Sequence, residues 1–354
     1  SKITTCMKHS ALSAMPKFKE RRTKMIEMHR NTSPISPFKP DHIQRALEKT
    51  QTNQYPGGEL VRFKDNYSQL TGLSSDRIAV ANGSDEWVKR LIRYFGRQGI
   101  ILTFYPDFIM YFKYASQYQV DLRSIPADEN FDFHIDQVLD RIQKVKPKLF
   151  IFSSPNNPTG KQFSQTEIQA LADRMKEIGG YLVIDEAYIE FGQDYKRPTG
   201  SHVLILRTMS KMYGMAGLRL GILYGKGDIF DQVTGLGKSP FPISHLNLNL
   251  ASEFMEDTNH LTDFINYQLE SRKTLVETMA KVKNLVNIKE TAANFTFTYG
   301  SKAQDLARYL GQKGYVIGSF DDDPLKQAFR YSIIQNKDYP RLAMDLEEWK
   351  AGNV

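Results

Sequence analysis

A single cysteine, Cys6, and only two tryptophans occur in a chain of 354 residues. One thiol allows no internal disulfide and no four-thiolate metal site, so a reducing compartment such as the cytoplasm is expected. Long apolar runs are missing too. Nothing approaches the roughly 18 residues that a membrane-spanning helix needs, and no short apolar run follows the basic N-terminus in the manner of a secretory signal. A soluble protein with no membrane partner is expected. Acidic residues are scarce at one end only: residues 1–24 carry Lys2, Lys8, Lys17, Lys19, Arg21, Arg22 and Lys24 against Glu20 alone, nearly all of the formal net charge of +7. The near-neutral remainder offers no broad phosphate-tracking surface, which argues against nucleic acid. The arm reads as a solvated or partner-clasping tail, although its acid-poor composition also resembles a transit peptide. The seven histidines show no metal-ligand spacing, and no Gly-x-Ser-x-Gly elbow is present. Gly235-Leu236-Gly237-Lys238-Ser239 ends like a phosphate-binding loop, but Gln232 takes the place of the required first glycine.

What is present is ample apolar material, 41% of residues with 12% aromatic, and a length that suggests about two domains. From about residue 58, short apolar runs alternate with amphipathic stretches, the pattern of an α/β fold with a mostly parallel sheet. Strands are predicted at Arg77–Ala81, Gly99–Phe104, Val120–Ile125, Lys148–Ser153, Tyr181–Asp185, Val203–Thr208 and Leu220–Tyr224. Helical stretches such as Asp85–Phe95, Ile135–Val145 and Gln165–Ile178 lie between them. Past Gly237-Lys238-Ser239-Pro240-Phe241-Pro242 the pattern turns to long helices over about 245–283, then two apolar runs, Asn294–Thr298 and Phe329–Ile334, around a helix near Ala303–Leu310. The expected organisation is a basic arm (1–24), a segment packing with the small domain (25–50), a large α/β domain (51–240) and a smaller α+β domain (241–354).

In a parallel α/β sheet, chemistry gathers at the carboxyl ends of strands. Asp185 ends one predicted strand and Tyr188 follows three residues later. Another is followed by Thr208-Met209-Ser210-Lys211, with Arg219 eight residues beyond the lysine. Asn82-Gly83-Ser84-Asp85-Glu86 joins a strand to a helix whose first amides are free to meet an anion, although Ser84 or Asp85 could equally be plain caps. Ser154-Pro155-Asn156-Asn157-Pro158-Thr159-Gly160 has turn composition, again directly after a strand. Each feature alone has an ordinary structural explanation. Together they supply an anion pocket, a buried acid, a phenol, an amide and a lysine, the inventory that pyridoxal phosphate demands.

These stretches, with Asp185-Glu186-Ala187-Tyr188 and Ala216-Gly217-Leu218-Arg219-Leu220-Gly221, resemble the fold-type I pyridoxal-phosphate aminotransferases, and among them the histidinol-phosphate aminotransferase family, from about residue 25 to the C-terminus. The resemblance implies that Lys211 is the Schiff-base lysine and proton shuttle, that Asp185 pairs with the pyridine nitrogen, and that Asn157 and Tyr188 bond the ring hydroxyl oxygen. It assigns the phosphate to Gly83, Ser84, Thr208, Ser210 and Arg219, with Asp85 beside them. It also places Phe108 on the ring face, Tyr55 on the cofactor phosphate of a neighbouring subunit in a homodimer, and Arg330 on a substrate carboxylate. The implied activity moves an amino group from a small-molecule donor to a keto-acid acceptor, 2-oxoglutarate, in amino-acid or histidine biosynthesis.

Two departures from the family pattern concern the substrate. The arginine expected after the late Gly-Ile-x-Val segment is replaced by Gly318, and the tyrosine of the N-terminal Asn-Pro-Tyr-Gly stretch by Ile35. Both losses weaken the case for a phosphorylated donor, leaving histidinol phosphate or an aromatic or other amino acid as donor. A threonine-phosphate-type decarboxylase and a non-catalytic regulator that binds the cofactor are the alternatives.

Overall fold

The computed structural model describes residues 25–236 and 241–353. The basic arm at 1–24, and residues 237–240 with most of the phosphate-loop-like run, lie outside the described residues. Twelve strands are present among the described residues: β1 (Ile26–Met28), β2 (Ile78–Asn82), β3 (Ile101–Tyr105), β4 (Leu122–Pro126), β5 (Leu149–Ser153), β6 (Tyr181–Asp185), β7 (Val203–Thr208), β8 (Leu220–Tyr224), β9 (Asn287–Lys289), β10 (Phe295–Tyr299), β11 (Tyr315–Ser319) and β12 (Ala328–Ser332). They form a seven-stranded sheet in the order β2-β8-β7-β6-β5-β3-β4 and a five-stranded sheet in the order β1-β11-β12-β10-β9. In the large sheet β8 alone runs opposite to the other six strands, so the sheet is mostly parallel, as the alternating pattern predicts.

The large sheet is apolar on both faces because helices cover both. Successive residues of β5 part accordingly: Leu149 and Ile151 join Trp87, Leu91 and Phe95 on one side, while Phe150 and Phe152 join Phe104, Ile168 and Leu171 on the other. The helix Gln165–Glu177 starts at a capping box, in which Ser164 Oγ accepts the Glu167 amide at 3.2 Å and the Glu167 carboxylate accepts the Ser164 amide at 2.6 Å. All seven predicted strands of the large sheet form, shifted by at most two residues.

The small sheet holds β10 and β12 where apolar runs are predicted, with the helix Ser301–Gln312 between them in sequence. Three of its strands, β1, β9 and β11, were not predicted. Parallel pairing of β1 with β11, Ile26 opposite Tyr315, adds the chain's first described strand to this sheet, so residues 29–32 pass directly over the junction between the two sheets. No helix among the described residues is long and apolar enough to cross a membrane.

Candidate active site

The order of the large sheet reverses between β3 and β5: the chain leaves β3 for β4 on one side and continues through β5, β6 and β7 on the other. Ligands in open α/β sheets bind in the crevice outside such a reversal. A cavity of about 660 Å³ opens there, lined by residues from the ends of β3, β5, β6 and β7, by 30–32, and by 319–322 and Arg330 of the small sheet.

At one end lies the start of the helix Ser84–Gly96. No side chain caps it, its N-cap Gly83 has φ +86°, and a Cβ there would stand 2.5 Å from Arg219 Nη2. A Cβ on Gly221 would collide with the Gly83 carbonyl carbon and the Ser84 amide. Glycine is required at both positions so that strand, turn and guanidinium can come together. Arg219, in the left-handed region at φ +55°, reaches Asp85 Oδ2 at 3.2 Å. Thr208 Oγ1 donates to Ser210 Oγ at 2.9 Å and accepts the Ser210 amide at 3.1 Å. Uncapped amides, two hydroxyls and a guanidinium make an anion cradle.

Asp185 closes the middle of the cavity. Tyr111 Oη donates to its Oδ2 at 2.9 Å and the Ala187 amide to its Oδ1 at 3.1 Å. Burial pushes its carboxyl up to about 6 despite these two donors. Lys211 Nζ lies 5.5 Å from the centre of the Tyr188 ring and donates to the Arg30 carbonyl at 3.4 Å. No acid pairs with it among the described residues. Tyr188 is buried and its oxygen accepts from Asn31 Nδ2 at 2.9 Å. Phe108 lies edge-on to Tyr111, with ring centres 5.6 Å apart.

The small sheet supplies Arg330. Its Nη1 donates to Asn157 Oδ1 at 2.6 Å and its Nη2 to the His29 carbonyl at 2.8 Å, while Nε is buried without a partner. Burial draws this guanidinium below its usual value, and no carboxylate faces it among the described residues. A charge placed so calls for an anion from outside the chain.

The cavity thus brings together Ser84, Asp85, Phe108, Asn157, Asp185, Tyr188, Thr208, Ser210, Lys211, Arg219 and Arg330, with Gly83 directly behind the cradle. Tyr55 does not line it. That side chain is 80% exposed and stacks on Phe241 at 4.9 Å. Ile35 is also elsewhere, packed against the core that contains Phe254 and Phe264, and Arg30, Asn31 and Thr32 line the cavity from that segment. Gly318 sits opposite Arg330 in the β11–β12 pairing, where a Cβ would meet the Arg330 carbonyl oxygen at 3.1 Å. Sequence reasoning missed Asn31, Tyr111 and Asp107. Tyr111 had a signal, since it falls one helical turn beyond Asp107 on the helix that opens after Phe108.

The donor set fits pyridoxal phosphate: an anion cradle no side chain fills, a buried acid, an unpaired lysine and an aromatic face converge on one cavity. The family described as aminotransferase class I and II matches residues 24–346. The chain is 33% identical to the histidinol-phosphate aminotransferase of Aquifex aeolicus, over 87% of this chain and 88% of that protein. It is 30% identical to the enzyme of the same name from Clostridium novyi, over 82% of each. In fold it is similar to the histidinol-phosphate aminotransferase of Sinorhizobium meliloti solved in complex with pyridoxal-5'-phosphate, with a TM-score of 0.79 at 21% identity, covering 93% of this chain and 92% of that one.

Proposed function

The chain belongs to the class I and II aminotransferases, enzymes that use pyridoxal phosphate, and on that footing we propose that it moves an amino group between an amino-acid-like donor and 2-oxoglutarate. When bound, the cofactor supplies an aldehyde for the substrate's amino group and a ring that accepts the electron pair from Cα. In this reading Lys211 would hold the cofactor covalently and would move a proton at the substrate Cα. Asp185 keeps the pyridine nitrogen protonated, Asn157 and Tyr188 hold the ring hydroxyl oxygen, and Phe108 covers the ring. Ser84, Thr208, Ser210 and Arg219 take the phosphate, with Gly83 and Asp85 shaping the cradle. Arg330 takes the substrate carboxylate. The observation that carries the reading is the convergence of Lys211, Asp185 and an acid-free Arg330 on one cavity.

The relatives' names point to histidinol phosphate as donor, while the small-sheet wall of this chain supports a weaker preference for phosphate. Position 318 offers no cation, and Asp321 and Asp322 line the same end of the cavity. A charge-assisted hydrogen bond to phosphate is worth on the order of 1.5 to 3 kcal/mol, roughly tenfold to a hundredfold in binding. An aromatic or other amino acid is therefore a credible donor beside histidinol phosphate. A panel of donors, scored by cofactor absorbance change and keto-product formation, tests this. Histidinol phosphate outperforming every phosphate-free donor by about a hundredfold would overturn the argument from Gly318. Carbon dioxide release without a keto product would overturn transamination. Tyr55, exposed and away from its own cavity, supports a homodimer in which it serves the partner's site; a fully active monomer at low concentration would contradict that.

A further inference from the structure

β3 and β5 are neighbours at the point where the sheet order reverses, and they pair over only two residues, Ile101 with Leu149 and Leu102 with Phe150. β5 and β6 pair over five, up to Ser153 with Asp185. Beyond Leu102 and Phe150 the ends of β3 and β5 part, and a side chain fills the place of the missing ladder. Asp107, 6% exposed, accepts the Ser153 amide on Oδ2 at 3.1 Å, the Ser153 hydroxyl on Oδ1, and the Phe108 amide on Oδ1 at 2.7 Å. Ser153 Oγ in turn accepts the Asn157 amide at 3.0 Å, and Asn157 Oδ1 accepts from Arg330. No cation pairs with Asp107 among the described residues.

We propose that Asp107 is a positioning residue, a staple across the split between β3 and β5 that fixes Phe108 directly and Asn157 through Ser153. The inference rests on the roles proposed above for Phe108 and Asn157. Burial pushes the Asp107 carboxyl up to about 8, and its two oxygens meet the Ser153 amide, the Ser153 hydroxyl and the Phe108 amide, whereas a carboxamide puts a nitrogen that only donates in place of one of those oxygens. Asp107→Asn therefore leaves either the Ser153 amide or the Phe108 amide facing another donor, loosening at least one arm of the staple. Ser153→Ala cuts only the arm to Asn157. It removes a hydroxyl but keeps the backbone, so it serves as the milder second variant.

The test measures the dissociation constant of pyridoxal phosphate from the full chain and the induced circular dichroism of the bound cofactor, which reports how firmly the ring is oriented. It also measures the melting temperature of the cofactor-free protein, for Asp107→Asn, Ser153→Ala, Asn157→Ala and the Asp107→Asn/Asn157→Ala pair. Asp107→Asn is expected to raise the dissociation constant roughly tenfold and to reduce the induced signal. Ser153→Ala should act in the same direction by less, and the double variant should lose less than the sum of the singles because the residues act as one unit. A purely structural role would lower the melting temperature and leave affinity and induced signal unmoved, and that result would overturn the proposal, as would full additivity. If Asn157→Ala itself binds cofactor like the wild type, the assignment of the ring contacts fails first and the staple loses its purpose. If Asn157→Ala weakens binding while Asp107→Asn and Ser153→Ala do not, the staple alone is wrong.

Discussion

The two walls of the cavity are built differently. On the large-sheet wall, Asp185, Thr208 and Ser210 are buried at or just past the ends of central strands, and each has a hydrogen-bond partner on the same side of the cavity, Tyr111 for Asp185 and each other for Thr208 and Ser210. On the small-sheet wall, Ser319, Asp321 and Asp322 are exposed, and Arg330 reaches across to Asn157 and His29 while leaving Nε unpaired. A wall whose groups satisfy one another tolerates little change, whereas one that waits for an outside anion can change its ligand with a few substitutions. On the roles proposed above, the chemistry belongs to the first wall and the choice of substrate to the second.

The largest expected effect tests the first wall. Asp185→Ala should leave the fold largely intact, because burial, which has pushed this carboxyl up to about 6, makes its charge a cost to folding rather than a support, yet turnover should fall by about a hundredfold or more. Near-normal turnover in a folded variant would break the assignment. Next comes the second wall: Arg330→Ala should raise KM for carboxylate-bearing substrates by about tenfold to a hundredfold while kcat changes less. Equal losses in kcat and kcat/KM would move Arg330 into the chemical step and blur the distinction between the walls.

The third and smallest effect concerns stability of the cofactor-free chain. Asp185 holds its proton more tightly folded than unfolded, since its value rises from about 4 to about 6. Its contribution to stability is therefore complete below about pH 4 and is lost as pH rises through about 6. Asp185→Asn has no such titration, so its melting temperature relative to the wild type should climb between about pH 4 and 6 and level off above. A flat difference across that window would show that burial does not act on Asp185 as described.

The contrast between the walls also explains what the sequence revealed. Strands β5, β6 and β7 are continuous apolar runs because both faces are covered, and each ends at a polar residue, so Asp185 and Lys211 stood out without any three-dimensional information. β1 and β9 are three residues long and exist only through their partners, too short for a periodic signal. Asn31, at φ +54°, is held by Ser332 and Asn294 from the small sheet, contacts across the chain that no local pattern encodes. Tyr111 looks like one more core aromatic until its hydroxyl is found on Asp185. Asp107 carries no local signal, because the split it bridges is a property of sheet order. Ile35, matched by position to a family tyrosine, packs against the core and is not among the residues that line the cavity.

The division between the walls depends most directly on where the cofactor is held. Borohydride reduction of the pyridoxal-phosphate-loaded protein, followed by peptide mapping, should place the label on Lys211 alone, the lysine that lines the cavity between the anion cradle and Tyr188 with no acid beside it. A label on Lys113, which also lines the cavity, or on any other lysine would contradict the account.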